Sequence, residues 1–233
     1  MTHEPTPIYR RVLLVWMLAL TTAASLGLQF IRQEWTQEGR FWAIAWDLFL
    51  AWVPLGAAVA LEWHHRKNPR RNWVLLGALA IIWLLFFPNA PYLVTEFVHL
   101  GPTHDAIWCC DLVVILLIAW NGVLLGFASL YLVQQVVREH LGASTSWIVA
   151  SACLALASLG ISMGRFERLN SWDALVNPRS IVRCFRRFED PHTFNHNIGL
   201  AVLLTGMLLL EYVTLAALIR AVSGAEKRLR ADL

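Results

Sequence analysis

"WVLLGALAIIWLLFFPNAPYLVTEFVHL", residues 73–100, decides how the rest of the chain is read. It opens with an apolar run from Trp73 to Phe87, then meets Pro88, Asn89 and Pro91 before a carboxylate and an imidazole, Glu96 and His99. A helix over that run rises about 22 Å, short of the ~30 Å hydrocarbon core of a bilayer. The stretch reads as most of a membrane span, broken where proline removes a helix donor and clashes with the preceding turn. Broken backbone at membrane depth is tolerated only where protein buries it or where it lines a polar cavity. We expect this break to line something. The "PNAP" segment should be non-helical and packed against the fourth and sixth spans, with Asn89 hydrogen-bonding freed backbone groups.

The whole chain agrees with a membrane setting. Of its 233 residues, 58% are hydrophobic and 15% charged, and the mean hydropathy is +0.53. A soluble domain is nearer a quarter charged. Hydropathy marks spans at about 12–31, 41–61, 73–94, 111–133, 146–164 and 198–219. The expected fold is an all-α bundle of about six spans, forming a single transmembrane domain over residues 1–233. The long apolar run after Arg10 and Arg11 reads as an uncleaved first span rather than a signal peptide. Cys109, Cys110, Cys153 and Cys184 show neither zinc spacing nor a disulfide framework. A net charge of +3 gives no reason to expect a nucleic-acid partner. Compact basic clusters at Arg66, Lys67, Arg70 and Arg71 and in the C-terminal tail favour cytoplasmic termini. Gly122-x-x-x-Gly126 and Gly160-x-x-x-Gly164 read as close helix packing.

Polar chemistry gathers in two stretches, 88–111 and 165–197, which even span counting puts on one membrane face. In the first, Tyr92, Thr95, Glu96 and His99 fall at spacings of three and four and should share one face of a short helix. Asp111 follows, with Trp108 as an interface anchor. In the second, "GRFERLNSWD" (164–173) packs Arg165, Arg168, Asn170 and Asp173 at the end of a span. Residues 177–188 read as a basic amphipathic interfacial helix, with Arg179, Arg183, Arg186 and Arg187 suited to anionic lipid headgroups. His192 and His196, at i and i+4, open the sixth span. With Glu96 and His99 they could hold a divalent metal, although no known zinc-protease motif surrounds them. Glu211 lies well inside the sixth span, where a carboxylate needs a role or a partner.

"FPNAPYLVTEFVHL" (87–100), the tryptophan and aspartate of "WCCDL" (108–112) and "GRFERLNSWD" together resemble a family of bacterial multi-pass membrane proteins, domain of unknown function 1361. The resemblance covers the chain from about residue 40 onward. It implies an integral membrane protein and an aspartate at the family position where this chain has Glu96, so a carboxylate is kept. It supplies no activity, and the localisation it favours is a bacterial inner membrane.

Three function classes follow. The first is a membrane enzyme acting on a lipid or lipid-linked phosphate headgroup at a composite site. Asn89, Tyr92, Arg165, Arg168, Asn170 and Arg183 would bind the headgroup, and Glu96, His99, Asp111 and Asp173 would carry acid–base chemistry. The second is a small-solute transporter using the broken third span. The third is a non-catalytic assembly partner with tryptophan-rich interfaces. Membrane lipids are the expected partners, and the sequence leaves the oligomeric state open.

Overall fold

The computed structural model describes residues 7–36, 41–67, 72–100, 106–167 and 191–231. Among them every regular element is helical. The chain runs through α1 (Pro7–Thr36), α2 (Phe41–Lys67), α3 (Trp73–Phe86), a one-turn α4 (Asn89–Tyr92) and a 3₁₀ helix (Leu93–His99). The helical stretch Ala106–Glu167 leaves helical conformation at Gly142 (φ 86°, ψ 172°). It therefore comprises two helices, α5 (106–141) and α6 (143–167), and α7 (Pro191–Ala231) follows.

Gly142 is where a side chain would be strained. A positive φ of this size costs little only without a Cβ. Five helices among the described residues are long and apolar enough to cross a membrane: Val12–Trp35, Trp42–Lys67, Trp73–His99, Ile107–Arg165 and Asn195–Val222. The fourth of these, at 59 residues, is about three times the length one crossing needs. The all-α, multi-span expectation holds, and the Gly142 break separates the expected fourth and fifth spans.

The chain divides into two compact units, Met1–Gly142 and Ala143–Leu233. In the first, Leu18 of α1, Ile44, Leu48, Ala51 and Leu55 of α2, Ala90 and Leu93 of the elbow, and Val114, Ile118 and Leu125 of α5 form one buried cluster. A polar network ties three of these helices inside it. Thr21 Oγ1 donates to Asn121 Oδ1 at 2.9 Å, Asn121 Nδ2 to Thr22 Oγ1 at 2.7 Å, and Trp52 Nε1 to Thr22 Oγ1 at 3.1 Å. Such bonds set register between spans, because lipid offers a stray donor no alternative partner. Arg32 meets Asp111 as Thr21 meets Asn121, so α1 runs antiparallel to α5.

In the second unit, α6 and α7 are likewise antiparallel. Trp147 packs against Tyr212 with ring centroids 5.8 Å apart and the rings tilted at 58°, Arg220 lies over the same indole at 5.7 Å, and Ser162 reaches Asn197. Glu211, the carboxylate expected inside the last span, is half-buried beside the buried Tyr212.

Candidate functional site

The site begins with the break in the third span. Pro88 and Pro91 have no N–H, so Leu84 and Phe87 lose their α-helical donors. The chain answers with one tighter bond and a side-chain cap. Ala90 N–H, which in an α-helix would reach Phe86 O, donates to Phe87 O at 3.3 Å. The Phe86 carbonyl thus freed accepts from Asn89 Nδ2 at 3.0 Å. Tyr92 N–H donates to Pro88 O at 2.9 Å, and Thr95 Oγ1 to Tyr92 O at 2.8 Å. The expected role of Asn89 is present. The expected non-helical "PNAP" is not: after a turn at Phe87 and Pro88, Asn89–Tyr92 forms a helical turn of its own, because two prolines three apart fit its first positions.

The elbow is buried in protein. Phe87, Ala90 and Leu93 are at most 1% exposed. They rest on Gly122 and Gly126 of α5, so this glycine pair receives the elbow. Trp83 stacks on Phe87 at 4.8 Å between ring centroids and donates Nε1–H to Ser129 Oγ at 3.2 Å. At the prolines the break is sealed by packing, the first of the two ways in which a membrane interior accommodates irregular backbone.

Beyond the elbow the chain tightens into the 3₁₀ helix, and this changes which residues align. Residues three apart eclipse in a 3₁₀ helix. Leu93, Glu96 and His99 therefore share one edge, with Tyr92 and Thr95 on the next, so the four residues expected on one α-helical face are split. Along that edge burial falls outward: Leu93 is fully buried, Glu96 is 4% exposed and His99 is open to its surroundings. His99 Nδ1 lies 3.2 Å from Glu96 Oε2. A buried carboxylate with an accessible imidazole on it is an acid–base pair with a route to solvent.

Asp111 opens the same end of the first unit. From Ala90 to Leu93 the chain moves from Gly126 toward Gly122, so the 3₁₀ helix runs toward the N-terminus of α5, where Asp111 lies. Arg32 of α1 clamps Asp111 with two bonds, Nε to Oδ1 at 2.6 Å and Nη2 to Oδ2 at 2.9 Å. Both groups are mostly buried, and the parallel bidentate geometry is the strong form of this pair. Arg32 is not among the residues the sequence singled out. Its signal was the spacing Thr22, Ser25, Gln29, Arg32, a polar stripe on an otherwise apolar helix. Ser25 and Gln29 are buried.

The second stretch is only partly in view. Arg168, Asn170, Asp173 and Arg183, with the whole basic segment 177–188, lie outside the described residues. Arg165 is half-buried near the end of α6. His192 and His196 fall on the first turns of α7 as expected; His196 is exposed, and the His192 side chain lies outside the described residues. Ser162 Oγ is within bonding reach of two acceptors of the buried Asn197, its O at 2.9 Å and Oδ1 at 3.2 Å. No three histidine, cysteine, aspartate or glutamate side chains converge as a metal site among the described residues.

A second polar cluster, at the opposite end of the first unit, was not anticipated. His65 of α2 donates Nε2–H toward Glu139 Oε2 at 3.0 Å, and its Nδ1 faces His140 Nε2 at 3.3 Å. Arg66 bridges Glu62 Oε1 at 3.0 Å and Glu139 Oε1 at 3.5 Å.

No curated protein and no solved structure matches the chain. One family model does, described as "Protein of unknown function (DUF1361)", over residues 46–212. That interval contains the proline elbow, the Glu96–His99 pair, Asp111 and the "GRFERLNSWD" stretch, and it takes in well over half of the sequence. The chain, with its several apolar helices of membrane-crossing length, belongs to the DUF1361 family.

Proposed function

We propose that this membrane protein is an enzyme acting on a lipid or lipid-linked phosphate headgroup, with Glu96 and His99 as its acid–base pair. The observation that carries the reading is Glu96 itself: a carboxylate 4% exposed, on a span deliberately turned by two prolines, with His99 Nδ1 at 3.2 Å. Burying a carboxylate on a membrane-length helix is costly and needs a return in function. Both Asp111 oxygens are held by Arg32, which leaves Glu96 to exchange the proton and makes Asp111 a positioning residue. Asn89, engaged with Phe86 O, shapes the elbow in the same sense. The arginine-rich sequence of segment 165–187 suits anionic phosphate and supports the headgroup class. The close packing of the elbow on α5 speaks against a transport path through the broken span. The setting is a bacterial inner membrane with cytoplasmic termini, argued from the basic clusters.

The test is phosphorus NMR and lipid mass spectrometry on the purified chain in nanodiscs carrying phosphomonoester, phosphodiester and polyprenyl-diphosphate lipids. One headgroup class should be converted. Glu96→Gln should abolish the conversion, and His99→Ala should slow it by about 10²-fold or more. No conversion of any class, or conversion that survives Glu96→Gln, overturns the reading.

A further inference from the structure

The Glu139–His65–His140 cluster lies away from the proposed site, and nothing in that proposal uses it. Its geometry is that of a hydrogen-bonded chain. His65 is buried, its side chain 4% exposed, and both ring nitrogens are engaged. Glu139 Oε2, an acceptor when ionised, fixes a proton on His65 Nε2. Neutral His65 then offers a lone pair at Nδ1, and His140 Nε2–H fills it at 3.3 Å, the two rings standing at 78°. Every donor in this chain has an acceptor while both imidazoles are neutral.

One added proton is also accommodated. His65 becomes a double donor, to Glu139 and to His140 Nε2, once His140 carries its own proton on Nδ1. The imidazolium then sits against the Glu139 carboxylate. A second proton cannot be accommodated. Two imidazolium N–H groups would face each other across 3.3 Å with no lone pair between them, and like charges would stand a hydrogen bond apart. Of the two rings, His140 is the exposed one.

We infer that the Glu139–His65–His140 chain is a proton-operated latch, closed with zero or one added proton and opened by a second. It clasps the C-terminal end of α2 to the last turn of α5, two residues before the backbone departs from helical conformation at Gly142. The charged groups around it set the balance. From α2, Glu62 is buried beneath Arg66, and Arg66 also reaches Glu139; His64 and Lys67 share that helix end, Lys67 lying over the Trp63 ring at 4.9 Å. From α5 come Arg138 and Glu139, and from α3 the Trp73 ring, 6.0 Å from His140 between centroids. Arg70 and Arg71 lie outside the described residues. Sign follows from the count of protons: acidification opens the latch, and raising pH closes it.

The test uses the full-length chain in nanodiscs, with hydrogen exchange followed over residues 136–146 and nitrogen-15 NMR of labelled histidines. Exchange, corrected for its intrinsic pH dependence, should rise about tenfold from pH 7.5 to 5.5 in that segment, with no comparable step in α1. His140→Gln keeps a hydrogen-bonding side chain that does not titrate, so the step should vanish. The wild-type histidine spectra should show a shared proton between two rings at pH 7.5 and two separate imidazolium signatures at pH 5.5. A flat exchange profile in the wild type overturns the latch, as does a step that persists in a folded His140→Gln protein.

Discussion

Replacing Gly122 by alanine puts a methyl group where the elbow of the third span already sits. The added Cβ would overlap the Ala90 carbonyl oxygen and stand 2.8 Å from Leu93 Cδ1 and 2.9 Å from Leu93 Cβ. Two of those three neighbours are main chain or fixed to it, so relief requires the elbow to move. At Gly126, one turn along, the same methyl would meet Ala90 Cβ at 3.4 Å, Pro91 Cδ at 3.5 Å and Phe87 Cε2 at 3.9 Å, which is ordinary contact. Both substitutions exchange glycine for alanine within α5, so the intrinsic helix preference of about 0.8–1.0 kcal/mol cancels between them. The difference isolates the overlap. Overpacking of this kind costs about 1–3 kcal/mol, or roughly 5- to 150-fold in the folding equilibrium. The assay is reversible unfolding in mixed micelles, followed by near-ultraviolet circular dichroism, to which the buried Trp83 on Phe87 contributes. Gly122→Ala should be the less stable of the two by that margin, and Gly126→Ala should match or exceed the wild type. Equal stabilities would show that the elbow does not rest on Gly122 as described.

Arg32→Ala and Asp111→Ala should each cost about 1.5–3 kcal/mol, the range for hydrogen bonds to charged groups, since either leaves a mostly buried charge alone. A double-mutant cycle should show strong coupling, and additive losses would refute the clamp. Arg32→Lys should recover only part of the loss, because an ammonium cannot make two parallel bonds. Asn121→Leu should destabilise by under about 2 kcal/mol, the upper range for interhelical bonds within membranes; a larger loss measured by the same unfolding assay would mean that Thr21 and Thr22 are left badly unpaired. For topology, single cysteines in 101–106 and 189–194, introduced after Cys109, Cys110, Cys153 and Cys184 are all replaced, should react with an impermeant thiol reagent in intact cells. Labelling only after permeabilisation reverses the orientation.

Composition and periodicity were enough to determine that this chain is an all-α membrane protein, where its spans lie and that the third is interrupted. Those properties follow from local rules: a bilayer demands runs of about 20 apolar residues, and proline interrupts a helix wherever it stands. The capping of Phe86 O by Asn89 was legible for the same reason, since donor and acceptor are three residues apart. Spacing alone could not say which face of the chain beyond the elbow carries Glu96. That depends on the choice between 3.6 and 3.0 residues per turn, decided here as the segment packs onto α5. Nor could it pair Arg32 with Asp111, or His65 with Glu139 and His140, because the partners are separated by 79, 74 and 75 residues. A charge in a sequence looks the same whether it ends in water or against a counter-ion. Only the packing of α1 antiparallel and α2 parallel to α5 brings these groups together, and burial away from water is what gives each pairing its strength.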